Sequence, residues 1–178
     1  MKEKTAKGFK TIDLAYIGLG AALISVCAWI SIPLTIPITL QTMGVCIVSG
    51  LLGWKRGTLS VIAYILLGMV GLPVFSGFKN GIGAISGPTG GYIVGFIFTV
   101  LIVGIAVDKL GKKLWVNIVF MTLGIALCYL FGTIWFTIAY NTTFLAALST
   151  CVIPFLIPDA IKVLVSAFIV NRLKNVIK

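Results

Sequence analysis

The sequence predicts an all-α membrane protein: six transmembrane helices, both termini cytoplasmic, and a long Gly-rich outer loop between helices three and four. Three observations carry that expectation. The 178 residues are 60% hydrophobic and only 10% charged, with a mean hydropathy of +1.16. A soluble domain carries about 25% charge, so too little polar surface is left to coat a water-soluble globule. The apolar residues fall in stretches near the roughly 20 that cross a bilayer. The Lys and Arg residues, which bring the net charge to +10, sit in short tracts between those stretches. Six spans take about 120 residues, so residues 1–178 make a single membrane domain.

The first ten residues are basic and lead into an apolar run, as a secretory signal does. The run 12–32 is too long for a signal core, and no small-x-small cleavage site follows it, so it reads as a retained first helix over 12–31. Pro33 and Pro37 end that helix, because each removes a donor and fixes φ. Helix two is expected over 39–53, closed by Trp54-Lys55-Arg56-Gly57, and helix three over 58–71. Both are short and Gly-interrupted, as segments lining a substrate cavity often are. Residues 71–91 form the longest non-helical stretch. Its glycines allow positive φ and close approach to a ligand, while Phe75, Phe78 and Ile82 suit a packed, functional loop. Helix four is expected over 89–107, with Pro88 in its first turn. A charged hairpin at 108–113 precedes helix five, 114–140, in which Gly132 is a point for a kink. Asn141 fits a glycosylation sequon that reads as chance. Helix six is expected over 148–173, interrupted at its beginning by Pro154 and Pro158.

Charge placement sets the orientation. Six helices put Lys2, Lys4, Lys7, Lys10, Lys55, Arg56, Lys109, Lys112, Lys113, Arg172, Lys174 and Lys178 on one face. By the positive-inside rule that face is cytoplasmic. Of the acids, Glu3, Asp13 and Asp108 belong to it too. Lys79, Asp159 and Lys162 escape the topological explanation. An ionisable residue at helix depth costs about 2.5–3.5 kcal/mol on insertion scales, so it has a role or a partner.

Asp159 and Lys162 are spaced i, i+3 and can pair on one helix face. They are either a structural salt bridge steadying a proline-broken helix or the polar floor of a ligand site. Asp offers acceptors and Lys donors; together they suit a group carrying both N–H and C=O, such as a urea or amide. Lys79-Asn80 is either a solvated loop charge or a capture point for an anion. The following Ser86-Gly87-Pro88-Thr89-Gly90-Gly91 brings backbone N–H groups and a helix start nearby. Thr39 and Gln41 are either a cap or interhelical bond, or pocket residues. Tyr92, Trp29, Trp135 and Phe155 could stack on a flat ligand or belong to the interfacial aromatic belt. Gly18-x-x-x-Ala22 and Ala21-x-x-x-Ser25 give helix one small-residue faces for close packing, within the bundle or against another membrane subunit.

Several functions lose support. The sequence has no His, the usual proton shuttle and commonest metal ligand. Cys27, Cys46, Cys128 and Cys151 lie in apolar segments without a CxxC pair and read as small core hydrophobes. No Ser/His/Asp set, carboxylate pair or metal cluster occurs, so neither an enzyme nor a cofactor is expected. No G-x4-G-K-[ST] loop occurs, so the chain does not hydrolyse ATP by that route. The basic tracts do not form the continuous face that nucleic acid needs.

Ile36-Pro37-Ile38-Thr39-Leu40-Gln41-Thr42, Gly68-x-x-Gly71-Leu72-Pro73-Val74-Phe75, Gly87-Pro88-Thr89-Gly90-Gly91-Tyr92 and Pro154-Phe155-x-x-Pro158-Asp159-x-x-Lys162 occur in order. Together they resemble the BioY family, the biotin-binding S components of energy-coupling factor transporters, over nearly the whole chain. The resemblance implies a multi-pass, high-affinity biotin-binding subunit of the bacterial cell membrane. It would work with a transmembrane coupling protein and two ATPase subunits, with helix one meeting the coupling protein. It implies that Asp159 and Lys162 meet the ureido ring and that the carboxylate tail goes toward Asn80 or Lys79. Phe78-Lys79-Asn80 stands where many family members have a Gly- and Arg-rich run, and Pro158-Asp159 where Pro-Gly-Asp is usual. The alternative is a stand-alone secondary carrier or channel for a small organic solute.

Overall fold

The structure, a computed structural model, describes residues 10–175. Lys2, Lys4, Lys7, Glu3 and Lys178, used above for orientation, lie outside the described residues. Helix α1 (Thr11–Trp29) starts where Asp13 Oδ2 accepts the Lys10 N–H at 2.9 Å. Asp13 Oδ1 also pairs with Arg56 Nη2 at 2.5 Å, and the Arg56 guanidinium lies over the Tyr16 ring at 5.3 Å. Beyond α1 the proline pair ends the helix as expected. The segment between folds back as a ribbon that the sequence did not announce: β1 (Ser31–Ile32) pairs antiparallel with β2 (Ile38–Thr39). Pro33 and Pro37 flank the paired residues, where no ladder donor is missed.

Helix α2 (Gln41–Met69) is one continuous element only in name. Gly53 inside it has φ 72° and ψ −172°. A straight helix would hold Gln41 and Tyr64 about 35 Å apart; instead Gln41 Nε2 donates to Tyr64 Oη at 2.6 Å. The arms 41–52 and 54–69 are therefore antiparallel, and they are the expected helices two and three. The reversal takes one residue rather than the expected four, since 54–57 is already the first turn of the second arm. Helix α4 (Gly90–Leu110) braces it: Asp108 Oδ2 accepts the Trp54 N–H at 3.1 Å. Just beyond α4, Lys112 Nζ donates to the Leu51 carbonyl at 2.5 Å. An anion at a helix start and a cation at a helix end both suit the helix dipole. Burial holds the Lys112 ammonium below the usual lysine range.

The outer loop is more ordered than expected. It contains a 3₁₀ turn (Ser76–Phe78) and the short helix α3 (Gly81–Ser86). Helix α5 (Leu114–Tyr140) runs through Gly132 without the kink. Gly132 is small for another reason, since a Cβ there would lie 2.5 Å from the Tyr92 ring. The last expected helix is divided into α6 (Phe144–Cys151), a 3₁₀ turn (Ile153–Phe155) and α7 (Leu156–Leu173). Pro154 opens the 3₁₀ turn, and Pro158 falls in the first turn of α7, where a missing N–H costs nothing.

Five helical runs are long and apolar enough to cross a bilayer: α1, α2, α4, α5 and α6 with α7. Polarity is inverted relative to a soluble protein. Leu19, Leu123, Leu145, Leu164 and Phe168 are exposed, whereas Asp159, Lys162 and Asn117 are buried. One core cluster gathers Tyr64, Phe75, Tyr92, Phe96 and Phe155; a second gathers Val103, Met121, Val163 and Val170. The four cysteines are buried and unpaired.

Candidate functional site

The first two turns of α7 put Asp159 and Lys162 on its inner face, 3% and 7% exposed. Lys162 Nζ lies 2.6 Å from Asp159 Oδ1. A buried ion pair is tolerable when further hydrogen bonds satisfy both charges, and here they do. Thr42 Oγ1, from the start of α2, donates to Asp159 Oδ1 at 3.1 Å. Tyr129 Oη, from α5, donates to Asp159 Oδ2 at 2.6 Å. Lys162 Nζ also reaches Thr42 Oγ1 at 3.4 Å.

This network borders a cavity of about 60 Å³. Its polar lining is Asp159, Lys162, Thr42 and Gln41 on the helices, Thr39 on β2, and Ser76, Lys79 and Thr89 from the outer loop; Ile36, Phe75, Ile93, Phe96 and Phe155 give apolar walls. Of the residues singled out from the sequence, Asp159, Lys162, Lys79, Thr39, Gln41, Tyr92 and Phe155 thus meet at one place. Asn80 does not line the cavity. It is the exposed N-cap position of α3, and its side chain makes no cap bond.

The individual roles differ from a simple list of lining groups. Gln41 does two things, bonding Tyr64 across the hairpin and facing the cavity, while its own N–H goes to Thr39 Oγ1 at 3.1 Å. The Tyr92 hydroxyl is committed to the Cys151 carbonyl, so Tyr92 offers the cavity its ring rather than its hydroxyl. That ring lies 6.3 Å from Phe155. Lys79 is exposed, and among the described residues neither ion pair includes it. Its position is set by a tight turn in which the Lys79 carbonyl accepts the Phe75 N–H at 3.1 Å. Gly77 at φ 68° and Phe78 at φ 58° make that turn possible. A non-Gly residue there is uncommon, and Phe78 is held by stacking on Trp29 at 5.3 Å. Trp29 Nε1 also donates to the Pro73 carbonyl at 2.7 Å. Trp135 Nε1 does the same for Gly87 at 3.0 Å. These two tryptophans fasten the outer loop and do not line the cavity. Gly90 and Gly91 serve packing, because a Cβ at Gly91 would lie 2.4 Å from Trp135 Cβ.

Sequence reasoning missed Tyr129, Ser76 and Phe96. Ser76 Oγ is buried on the cavity without a hydrogen-bond partner among the described residues. A serine in a Gly-rich loop carries no signal of that. Tyr129 lines not this cavity but a second, apolar groove of about 440 Å³ between α5 and α7. Asp159 borders both spaces. Chemically, the arrangement supplies a carboxylate acceptor and an ammonium donor side by side, aromatic walls, and a second ammonium from the loop.

The family model described as the BioY family matches residues 1–178. A Thermotoga maritima protein named biotin transporter BioY is 41% identical over 164 residues, covering 92% of this chain and 96% of that protein. A Pyrococcus horikoshii protein named probable biotin transporter BioY is 36% identical, covering 93% and 98%. A crystal structure of the S-component for biotin from an ECF-type ABC transporter superposes with a TM-score of 0.87 at 30% identity. That match covers 94% of this chain and 95% of the other.

Proposed function

Because the chain belongs to the BioY family, we propose that it is the high-affinity biotin-binding membrane subunit of an ATP-driven vitamin uptake transporter. The observation that carries this reading is the buried Asp159–Lys162 pair bordering an aromatic-walled cavity. A cyclic urea presents two N–H donors and one carbonyl. Asp159 accepts from the former and Lys162 donates to the latter. The fused ring lies against Tyr92, Phe75 and Phe155, and the carboxylate turns toward Lys79. Ligand pockets span about 300–1,000 Å³, so the 60 Å³ cavity has to widen as the ligand enters.

Energy comes from elsewhere, since the sequence has no phosphate-binding loop. The proposed partners are a transmembrane coupling protein and two ATPase subunits. Six crossings follow from counting the two arms of α2 separately, and they put Lys10, Lys55, Arg56, Lys109, Lys112, Lys113, Arg172 and Lys174 on the cytoplasmic side. The docking face for the coupling protein is the outer side of α1. Gly18 and Ala22 are exposed, and a Cβ at Gly18 would meet nothing within 4 Å. The other small pair, Ala21 and Ser25, is buried within the bundle. Gly18→Leu is accordingly expected to keep biotin affinity within about twofold while cutting cellular uptake to background, because bulk at a small-residue face blocks close helix approach.

Calorimetry on the purified protein in nanodiscs tests the function: one biotin is bound per chain. Uptake into vesicles that lack ATPase subunits, driven by an ion gradient, would instead make the chain a stand-alone carrier. The carboxylate assignment has its own test. Lys79→Ala is expected to weaken biotin about tenfold and to leave biotin carboxamide, which has no charge to lose, nearly unchanged. Equal losses for acid and amide would remove Lys79 from the tail subsite.

A further inference from the structure

We infer that Tyr129 is a positioning residue for biotin binding, acting through Asp159 without touching the ligand. The inference rests on the ligand site proposed above. Asp159 stands as a partition between two spaces of opposite character. Its Oδ1 lies among cavity residues, taking Lys162 Nζ at 2.6 Å and Thr42 Oγ1 at 3.1 Å. Its Oδ2 is held by Tyr129 Oη at 2.6 Å. Tyr129 does not line the cavity; it lines the groove between α5 and α7, with Ile125, Leu156, Val163 and Leu164. No other side chain among the described residues donates to Oδ2.

A carboxylate accepting a short hydroxyl bond on one oxygen has its rotation fixed, and the bond is stronger for being charge-assisted and shielded from water. Without the phenol, Oδ2 would be left bare against an apolar groove. The carboxylate would then turn both oxygens toward Lys162 and Thr42, its remaining polar neighbours. Lone pairs that should meet the ligand's N–H groups would be spent inside the protein. Tyr129 therefore orients the acceptor and closes the cavity floor against the surrounding hydrocarbon.

The test is a double-mutant cycle on biotin affinity, measured by calorimetry in nanodiscs with wild type, Tyr129→Phe, Asp159→Ala and the double variant. Tyr129→Phe is expected to weaken binding about tenfold in the wild-type background and to add nothing once Asp159 is alanine. A purely structural tyrosine would cost the same factor in both backgrounds, and that result overturns the inference. Wild-type affinity in Tyr129→Phe, with Asp159→Ala still weakened, overturns it too and leaves the ligand site standing. Wild-type affinity in Asp159→Ala removes the ligand site and the role of Tyr129 with it. Should Tyr129→Phe not yield folded protein, site-specific 3-fluorotyrosine at 129 keeps the shape and sharpens the donor. Affinity must then change in the wild-type background and stay constant in Asp159→Ala.

Discussion

Asp159→Ala is expected to weaken biotin binding by about 10²–10³-fold, the largest effect of any single substitution in the cavity. The ureido N–H groups lose a charged acceptor; hydrogen bonds to charged groups are worth about 1.5–3 kcal/mol each, and each 1.4 kcal/mol is roughly tenfold in affinity. Separately, the Lys162 ammonium, with a side chain only 8% exposed, loses its counter-ion, which costs the fold about 3–5 kcal/mol with or without ligand. Lys162→Ala should cost less, about 10- to 100-fold, because Asp159 keeps its bonds from Thr42 and Tyr129. The double variant separates the two contributions. With both charges gone no ammonium is stranded, so its thermal midpoint should recover relative to Asp159→Ala while its affinity does not. Calorimetry and thermal unfolding on the same preparations check this. Recovery of affinity in the double variant would show that the pair serves the fold and not the ligand.

Gly53→Val is expected to be the most destabilising single change at the α2 reversal, by at least about 3 kcal/mol. The conformation φ 72°, ψ −172° belongs essentially to glycine, and forcing another residue into it costs about 1–3 kcal/mol. A second penalty is steric: a Cβ there would lie 2.4 Å from Asp108 Oδ1, the carboxylate that receives the Trp54 N–H. The side chain thus displaces the group that braces the turn. The midpoint should fall by roughly 10 °C, at about 2–4 °C per kcal/mol for a chain of this size. Gly111→Ala is the matched control. Gly111 has φ 84° and ψ 163°, in the same region as Gly53, but a Cβ there meets nothing within 4 Å, so only the conformational cost of about 1–3 kcal/mol remains. Equal losses at the two glycines would mean that the Asp108 brace contributes nothing. Biotin affinity should fall with Gly53→Val as well, because the reversal is what brings Gln41 back to Tyr64 at the cavity.

Much of this was readable from the chain because a bilayer leaves few ways to place a charge. Most basic residues only orient the helices, which singled out Lys79, Asp159 and Lys162, and all three line the cavity. The ends of α1 and α5 followed from proline, charge and the length of the apolar run. What stayed hidden depended on tertiary partners. The ribbon between Pro33 and Pro37 is two residues per strand, too short for any alternation to register. The one-residue turn at Gly53 looked like a longer loop because Trp54-Lys55-Arg56 carries a loop's composition while it forms a helical turn. Nothing along the chain distinguishes Lys79 from Asn80, whereas in the fold Gly77 and Phe78 turn the backbone so that Lys79 lines the cavity and Asn80 does not. Tyr129 lies 30 residues from Asp159 in a helix that is apolar on every side, and nothing in its surroundings along the chain marks it.

The layout of partners around Asp159 also bears on how the protein is made. The i, i+3 spacing of Asp159 and Lys162 lets the two charges at membrane depth in α7 pair within the helix, as they do at 2.6 Å in the fold, so that they need not enter the bilayer as separate charges; Arg172 lies at the far end, in the last turn. Thr42 lies 117 residues and Tyr129 30 residues before Asp159, so both are synthesised first. The partner that neutralises the carboxylate thus lies one helical turn away, while the hydroxyls that orient it come from segments made earlier in the chain.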